Sequence, residues 1–291
     1  MKRLLSLFVF ALALAGAGAI AMIVWPLNSR LSKTSEIGDV NRGAYLARMS
    51  GCIACHTNTK NNGAPLAGGL AIKTGFGVFH SPNLTTDKEF GIGDWRWSIE
   101  QFALAVRKGI SPPGEPYYPA FPYPFYSKLT GQDIADLWAA FQTVPPVQTV
   151  SKPQEMNFPF NFRSGLKLWR AAFLDQSSFA SEPNKSELWN RGKYIVEGPA
   201  HCGARHTPRN FAGARQVEQQ LHGASELPNG GKSPPITPEK LQIKGWTISN
   251  LKYALKTGVP PDGDAFGGAM GEVVQDGTSF LNDDDLTAIA T

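Results

Sequence analysis

The chain has little cysteine, little net charge and no block of like charges. Its 291 residues carry 3 cysteines, 5 histidines and 5 methionines, with a formal net charge of +4. An odd cysteine count argues against a simple disulfide framework, the usual support of small exported domains. The lysines and arginines are scattered, which excludes the basic stripe of a nucleic-acid surface. Charge is wholly missing from Leu4 to Trp25. Glycine and proline are plentiful at 30 and 22 residues; that share predicts many loops and short helices rather than a large sheet.

Lys2 and Arg3 precede the uncharged stretch. A cleaved signal peptide has an apolar core of about 7–15 residues, whereas a spanning helix needs about 20. The length of Leu4–Trp25 therefore predicts a retained anchor, with Ala15-Gly16-Ala17 and Ala17-Gly18-Ala19 leaving cleavage as the alternative. In both readings the positive flank stays cytoplasmic and the rest of the chain lies on the periplasmic side of a bacterial inner membrane.

In that oxidising compartment, Cys52-Ile53-Ala54-Cys55-His56 has C-x-x-C-H spacing. Two thiols on a tight helical turn can form thioethers to the vinyl groups of a haem while the following histidine ligates the iron. The alternatives are a disulfide or a zinc knuckle. Zinc needs a fourth ligand of similar type nearby, and the chain has no second C-x-x-C. The expected cofactor is haem c.

The pattern recurs with one member changed, as Cys202-Gly203-Ala204-Arg205-His206. Its surroundings recur too. Arg42-Gly43-Ala44-Tyr45-Leu46 precedes the first copy and Arg191-Gly192-Lys193-Tyr194-Ile195 the second. Trp97-Ser98-Ile99 and Trp246-Thr247-Ile248 each open a helix, with Ser98 and Thr247 as N-caps and Gln101 placed to complete a capping box. Gly109 and Gly258 suit the left-handed positions that end these helices. A last helix is capped by Thr130, with Ile134, Leu137, Trp138 and Phe141 as its apolar stripe. Its counterpart aligns Asp285, Leu286 and Ile289 with Asp133, Ile134 and Leu137, and reads as too short to pack stably. The predicted organisation is a targeting segment over 1–30, one unit over 38–150, an intervening segment over 151–185 and a second unit over 186–291. The aromatics of the intervening segment predict packing between the units.

The repeat also suggests axial ligands. Gly109–Pro122 aligns on Gly258–Gly271, setting Phe121 against Met270. Met270 is expected in a loop, where its thioether can approach the iron's second face; core filling is the alternative for a lone methionine. Phenylalanine cannot ligate iron. By elimination His80 is the candidate sixth ligand of the first site, with Met49 or an open five-coordinate iron as alternatives. The Pro82 carbonyl is a candidate partner for the His56 ring. Arg205 cannot form a thioether. A haem there would be held by Cys202, His206 and Met270; the alternatives are a lost haem or an error in the sequence. His201 and His222 read as surface or loop residues.

Through Cys52–Thr57, Ser81-Pro82-Asn83-Leu84-Thr85, Tyr118–Tyr123, Cys202–Asn210 and Gly267-Gly268-Ala269-Met270, the chain resembles tandem c-type cytochromes of bacterial periplasmic oxidation systems. The likeness is greatest to dihaem cytochromes c and to the cytochrome subunits of membrane-bound alcohol and gluconate dehydrogenases. The resemblance implies an all-α fold of two cytochrome c-like domains. It also implies attachment at Cys52 and Cys55, with His56, His206 and Met270 as axial ligands. It further implies an electron carrier, not an enzyme, between a periplasmic dehydrogenase and membrane respiratory components, with no nucleic-acid partner. Arg205 and Phe121 depart from the family pattern, as does the count of two units where such subunits commonly have three. The rival functions are a haem enzyme, such as a dihaem peroxidase or thiosulfate-oxidising cytochrome, and a monohaem carrier whose second unit only docks a partner.

Overall fold

Short helices punctuated by glycine and proline are the main regular structure, as the composition predicts. The computed structural model describes residues 2–27, 29–30, 34–94, 96–228 and 230–291. Met1 and Asn28, within the expected targeting segment, lie outside the described residues. Helix α1 (Lys2–Val24) is apolar and exposed along its length. Its stretch Arg3–Val24 is long and apolar enough to cross a membrane.

The first half then runs α2 (Val40–Met49), α3 (Cys52–His56), β1 (Ala71–Thr74), β2 (Gly77–His80), α4 (Ile99–Lys108), α5 (Tyr123–Tyr126) and α6 (Gly131–Phe141). Strand β3 (Glu155–Met156) and α7 (Leu166–Phe173) follow. The second half runs α8 (Glu187–Glu197), α9 (Gly203–His206), α10 (Pro238–Ile243), α11 (Ile248–Thr257), α12 (Gly268–Asp276) and α13 (Asp283–Ala290). In repeat order α8, α9, α11, α12 and α13 correspond to α2, α3, α4, α5 and α6.

The all-α expectation needs correction. β1 and β2 form an antiparallel hairpin, Ala71 opposite His80 and Thr74 opposite Gly77, and β3 adds to the outer edge of β2. The two-residue turn Gly75-Phe76 is held by the Thr74 hydroxyl, which donates to Gly77 O at 2.9 Å and accepts from Phe76 N at 3.2 Å. Four-residue strands are too short for alternation to stand out from a loop, and β3 forms only because a distant segment returns to pair.

Helix ends follow the sequence closely. Ser98, Thr130 and Thr247 cap α4, α6 and α11, and Gly109 and Gly258 close α4 and α11 at φ of 62° and 80°. The capping box expected at Gln101 is absent: its Oε1 is buried without a partner, while Asn250 and Asp133 complete boxes on α11 and α6.

One buried core runs through both halves, joining Leu46, Phe102, Ile134 and Phe141 to Tyr194, Ile195, Leu255 and Leu286. Helix α13 is well packed despite its length, with Leu286 and Ala288 buried, because tertiary contact rather than propensity holds short helices. Close approach explains the two repeated glycines. A Cβ on Gly43 would lie 1.9 Å from Asp136 O, and one on Gly192 1.9 Å from Ala288 O. The neighbouring arginines bind the facing helices: Arg42 to Asp136 at 2.8 and 3.1 Å, Arg191 to Asp285 at 2.7 and 2.9 Å.

The repeated tyrosines cross between the halves. Tyr45 donates to Asp285 at 2.8 Å, and Tyr194 donates to Asp133. Each half thus supplies a hydroxyl to the first turn of the other's last helix. The aromatics of 151–185 do not all pack inward as expected: Phe158 and Phe162 are 86% and 58% exposed.

Candidate haem-attachment site

Helix α3 is a single turn, so Cys52, Cys55 and His56 share a short stretch of its surface. All three cysteines of the chain are free thiols. Burial pushes the Cys52 thiol up to about 12 and the Cys202 thiol up to about 11, so neither is a thiolate poised for redox exchange. Cys55 is exposed and lies near the Arg205 charge.

His56 is oriented by its loop. Its Nδ1 lies 2.8 Å from Pro82 O. A carbonyl only accepts, so Nδ1 carries the proton and the Nε2 lone pair is left for a metal. Burial lowers the imidazole's pKa, against the opposing effect of that bond, and favours the neutral ligating form. The loop is pinned at two further points: Gly68 N donates to His56 O at 2.7 Å, and Leu66 N donates to the Thr57 hydroxyl at 3.1 Å. Leu66 holds a left-handed φ of 60°, a conformation that costs a non-glycine residue roughly 1–3 kcal/mol.

The second half reproduces this arrangement bond for bond. His206 Nδ1 lies 2.8 Å from Pro234 O, Gly223 N donates to His206 O at 2.8 Å, and Leu221 N donates to the Thr207 hydroxyl at 3.2 Å. Leu221 is also left-handed, at φ 63°. Burial lowers the His206 pKa in the same direction. Arg205 stands exposed at the place of the second thiol. Sequence reading missed Pro234, Thr207 and the two leucines; the recurring Ser81-Pro82 and Ser233-Pro234 pairs were the available signal.

The other expected residues are spread more widely. Met270 sits in the first turn of α12, not in a loop, half-buried against the core. Phe121 joins an aromatic cluster with Tyr117, Tyr123 and Tyr126 at centroid distances of 5.8–6.3 Å. His80 ends β2, where its Nε2 meets Glu155 Oε1 at 2.9 Å and its Nδ1 is buried without a partner. Its neighbour in sequence Pro82 serves the ring of His56. Met49 is buried in α2. His222 is exposed, as expected.

His201 lies in a loop, as expected, and is not at the open surface. Half-buried, it packs against Phe125 and Tyr126 at 6.0 and 5.6 Å, close beside Gly51. Tyr126 in turn donates to Ser50 O. The residues immediately before Cys52 and Cys202 therefore meet across two aromatic rings, and the attachment turns lie back to back.

Among the described residues no three His, Cys, Asp or Glu side chains gather as a metal cage. The donors instead suit a group held along one helical turn. The first site offers two thiols and an oriented imidazole, the full donor set of haem c; the second offers one thiol and the same imidazole.

No family model matches the chain. Over its whole length it is 36% identical to the dihaem cytochrome c-type of Cereibacter sphaeroides, covering 97% of that protein. It is 37% identical to the fructose dehydrogenase cytochrome subunit of Gluconobacter japonicus over 96% of its length, and 37% identical to the gluconate 2-dehydrogenase cytochrome c subunit of Pantoea cypripedii over 93%. It spans 56% and 63% of those two longer proteins. With a C-x-x-C-H turn, a histidine presented through Nε2 and a relative matched from end to end, the chain belongs to the dihaem c-type cytochrome family.

Proposed function

We propose that this chain is a membrane-anchored electron carrier built of two tandem cytochrome units, holding one haem c in each half. Cys52 and Cys55 would attach the first group and His56 would ligate it. Cys202 would tether the second through one thioether, with His206 and Met270 as its ligands. Bound haem supplies one-electron chemistry through its iron. The chain's own residues fix the imidazole tautomers through Pro82 and Pro234, bury the Cys52 and Cys202 thiols and hold the two turns back to back. Two of the named relatives are dehydrogenase cytochrome subunits, which supports a periplasmic dehydrogenase as donor and membrane respiratory components as acceptor. Helix α1 supports retention at the inner membrane, facing the periplasm.

The observation that carries the reading is the duplicated histidine loop. A half that had ceased to bind haem has no need to keep Leu221 left-handed and the His206 ring pinned at the same 2.8 Å as its twin. In the first half His80, whose Nδ1 is buried without a partner while its Nε2 meets Glu155, would be the second protein ligand. The test is a pyridine haemochrome assay on protein matured with the haem-attachment machinery. Two haems per chain are expected; one per chain would overturn the dihaem assignment.

A further inference from the structure

The aromatic segment before α7 and the end of α1 lie together. Lys167 Nζ donates to Ile23 O and Trp25 O, both at 2.8 Å, and so fastens the last turn of the apolar helix to α7. Trp169, two residues further along α7, donates from its indole to Ala212 O at 2.9 Å and ties the 211–213 turn to the same helix. The segments joined through α7 carry Trp25 at 73% exposure, Phe158 at 86%, Phe162 at 58%, Phe173 at 42% and Phe211 at 100%. Soluble proteins seldom show such a concentration of bare large side chains without a partner for it.

We propose that these aromatics form an apron seated in the headgroup–acyl boundary of the phospholipid leaflet through which α1 emerges. The proposal rests on α1 being a retained anchor. The occupant is set by position: a helix that crosses a bilayer delivers the residue just past its end, Trp25, to the interface, where aromatic side chains concentrate. Because Lys167 ties that end to α7, the phenylalanines beside it are held at the same level. The phenyl rings enter the acyl boundary while the Lys167 stem spans it with its charge on the helix-end carbonyls. The apron would fix the soluble part flat on the membrane, with one chosen face toward it, instead of leaving it to swing on its anchor.

The test uses full-length holoprotein in phosphatidylethanolamine–phosphatidylglycerol vesicles, carrying Phe158→p-benzoylphenylalanine or Phe211→p-benzoylphenylalanine. Tyr253→p-benzoylphenylalanine, at an exposed site on α11, is the control. After illumination, mass spectrometry is expected to find phospholipid adducts several-fold more abundant at 158 and 211 than at 253. Adducts to protein alone, or no excess over 253, would overturn the apron and, in the first case, identify a docked protein as its occupant. Intact mass separates the two layers. A mature chain that lacks residues 2–24 defeats the anchor and the apron with it. A full-length mass without lipid adducts defeats the apron alone.

Discussion

The two halves differ in the thiols they offer and agree in how they aim a histidine. The first has two thiols on α3, while the second has Cys202 and an exposed Arg205 on the turn of α9. Yet Pro82 and Pro234 hold His56 and His206 at the same distance, and Leu66 and Leu221 share an unfavourable backbone conformation. Covalent tethering and axial ligation are thus separable properties of the loop. One can be altered while the other stays intact, because the Arg205 side chain is exposed and only its backbone carbonyl joins the loop, accepting from the Ser233 hydroxyl.

The most drastic way to break the comparison is to remove the tether from the intact half. Cys52→Ala combined with Cys55→Ala should lose covalent haem from the first site entirely, halving haem stain after denaturing electrophoresis and leaving one haem in the intact mass. The converse change, Arg205→Cys, should make the halves alike. The second haem then gains a thioether, and the reduced pyridine haemochrome band should move toward shorter wavelength as a vinyl group becomes saturated, with no change in haem count.

Smaller effects test whether the halves pack by the same rule. Gly43→Ala and Gly192→Ala each drive a Cβ into a backbone carbonyl of the facing helix. Each should destabilise by about 1–3 kcal/mol, the usual cost of overpacking, read as a fall in thermal midpoint. Tyr45→Phe and Tyr194→Phe withdraw a donor from Asp285 and Asp133 and should each cost on the order of 1–2 kcal/mol, as hydrogen bonds to charged groups do. Similar costs for the two tyrosines would establish the reciprocal exchange; a loss at only one would mark that half as dominant.

The smallest expected effect is on pH dependence. Burial pushes Asp136 and Asp285 up, but the hydrogen bonds from Arg42, and from Arg191 and Tyr45, outweigh it and hold both carboxyls below the usual range. A depressed carboxyl stabilises the fold above the unfolded pKa of about 3.9, and that contribution is lost as pH falls through the lower folded value. Acid unfolding curves of Asp136→Asn and Asp285→Asn should therefore be flatter below about pH 4 than that of the parent.

What was legible in the sequence was local. The C-x-x-C-H turn, the Ser and Thr caps and the glycine helix ends all depend on residues a few positions apart. The departures are non-local. Strand β3 pairs from beyond residue 150, His201 is half-buried by Phe125 and Tyr126 of the other half, and Gln101 lacks its box with its side-chain oxygen enclosed. Met270 is expected in a loop between two helices, yet Gly268 opens a helix that carries it. The tyrosines were recognised as a repeat, but nothing in their spacing says that each bonds to the opposite half.

That exchange of hydroxyls makes the two halves mutually dependent. A change at Asp285 is felt by Tyr45, and a change at Asp133 by Tyr194, so substitutions within this network are constrained in pairs across the whole chain. Arg205 lies outside it. The same architecture therefore leaves the attachment positions free to vary one at a time while it ties the frame that carries them into a single inherited unit.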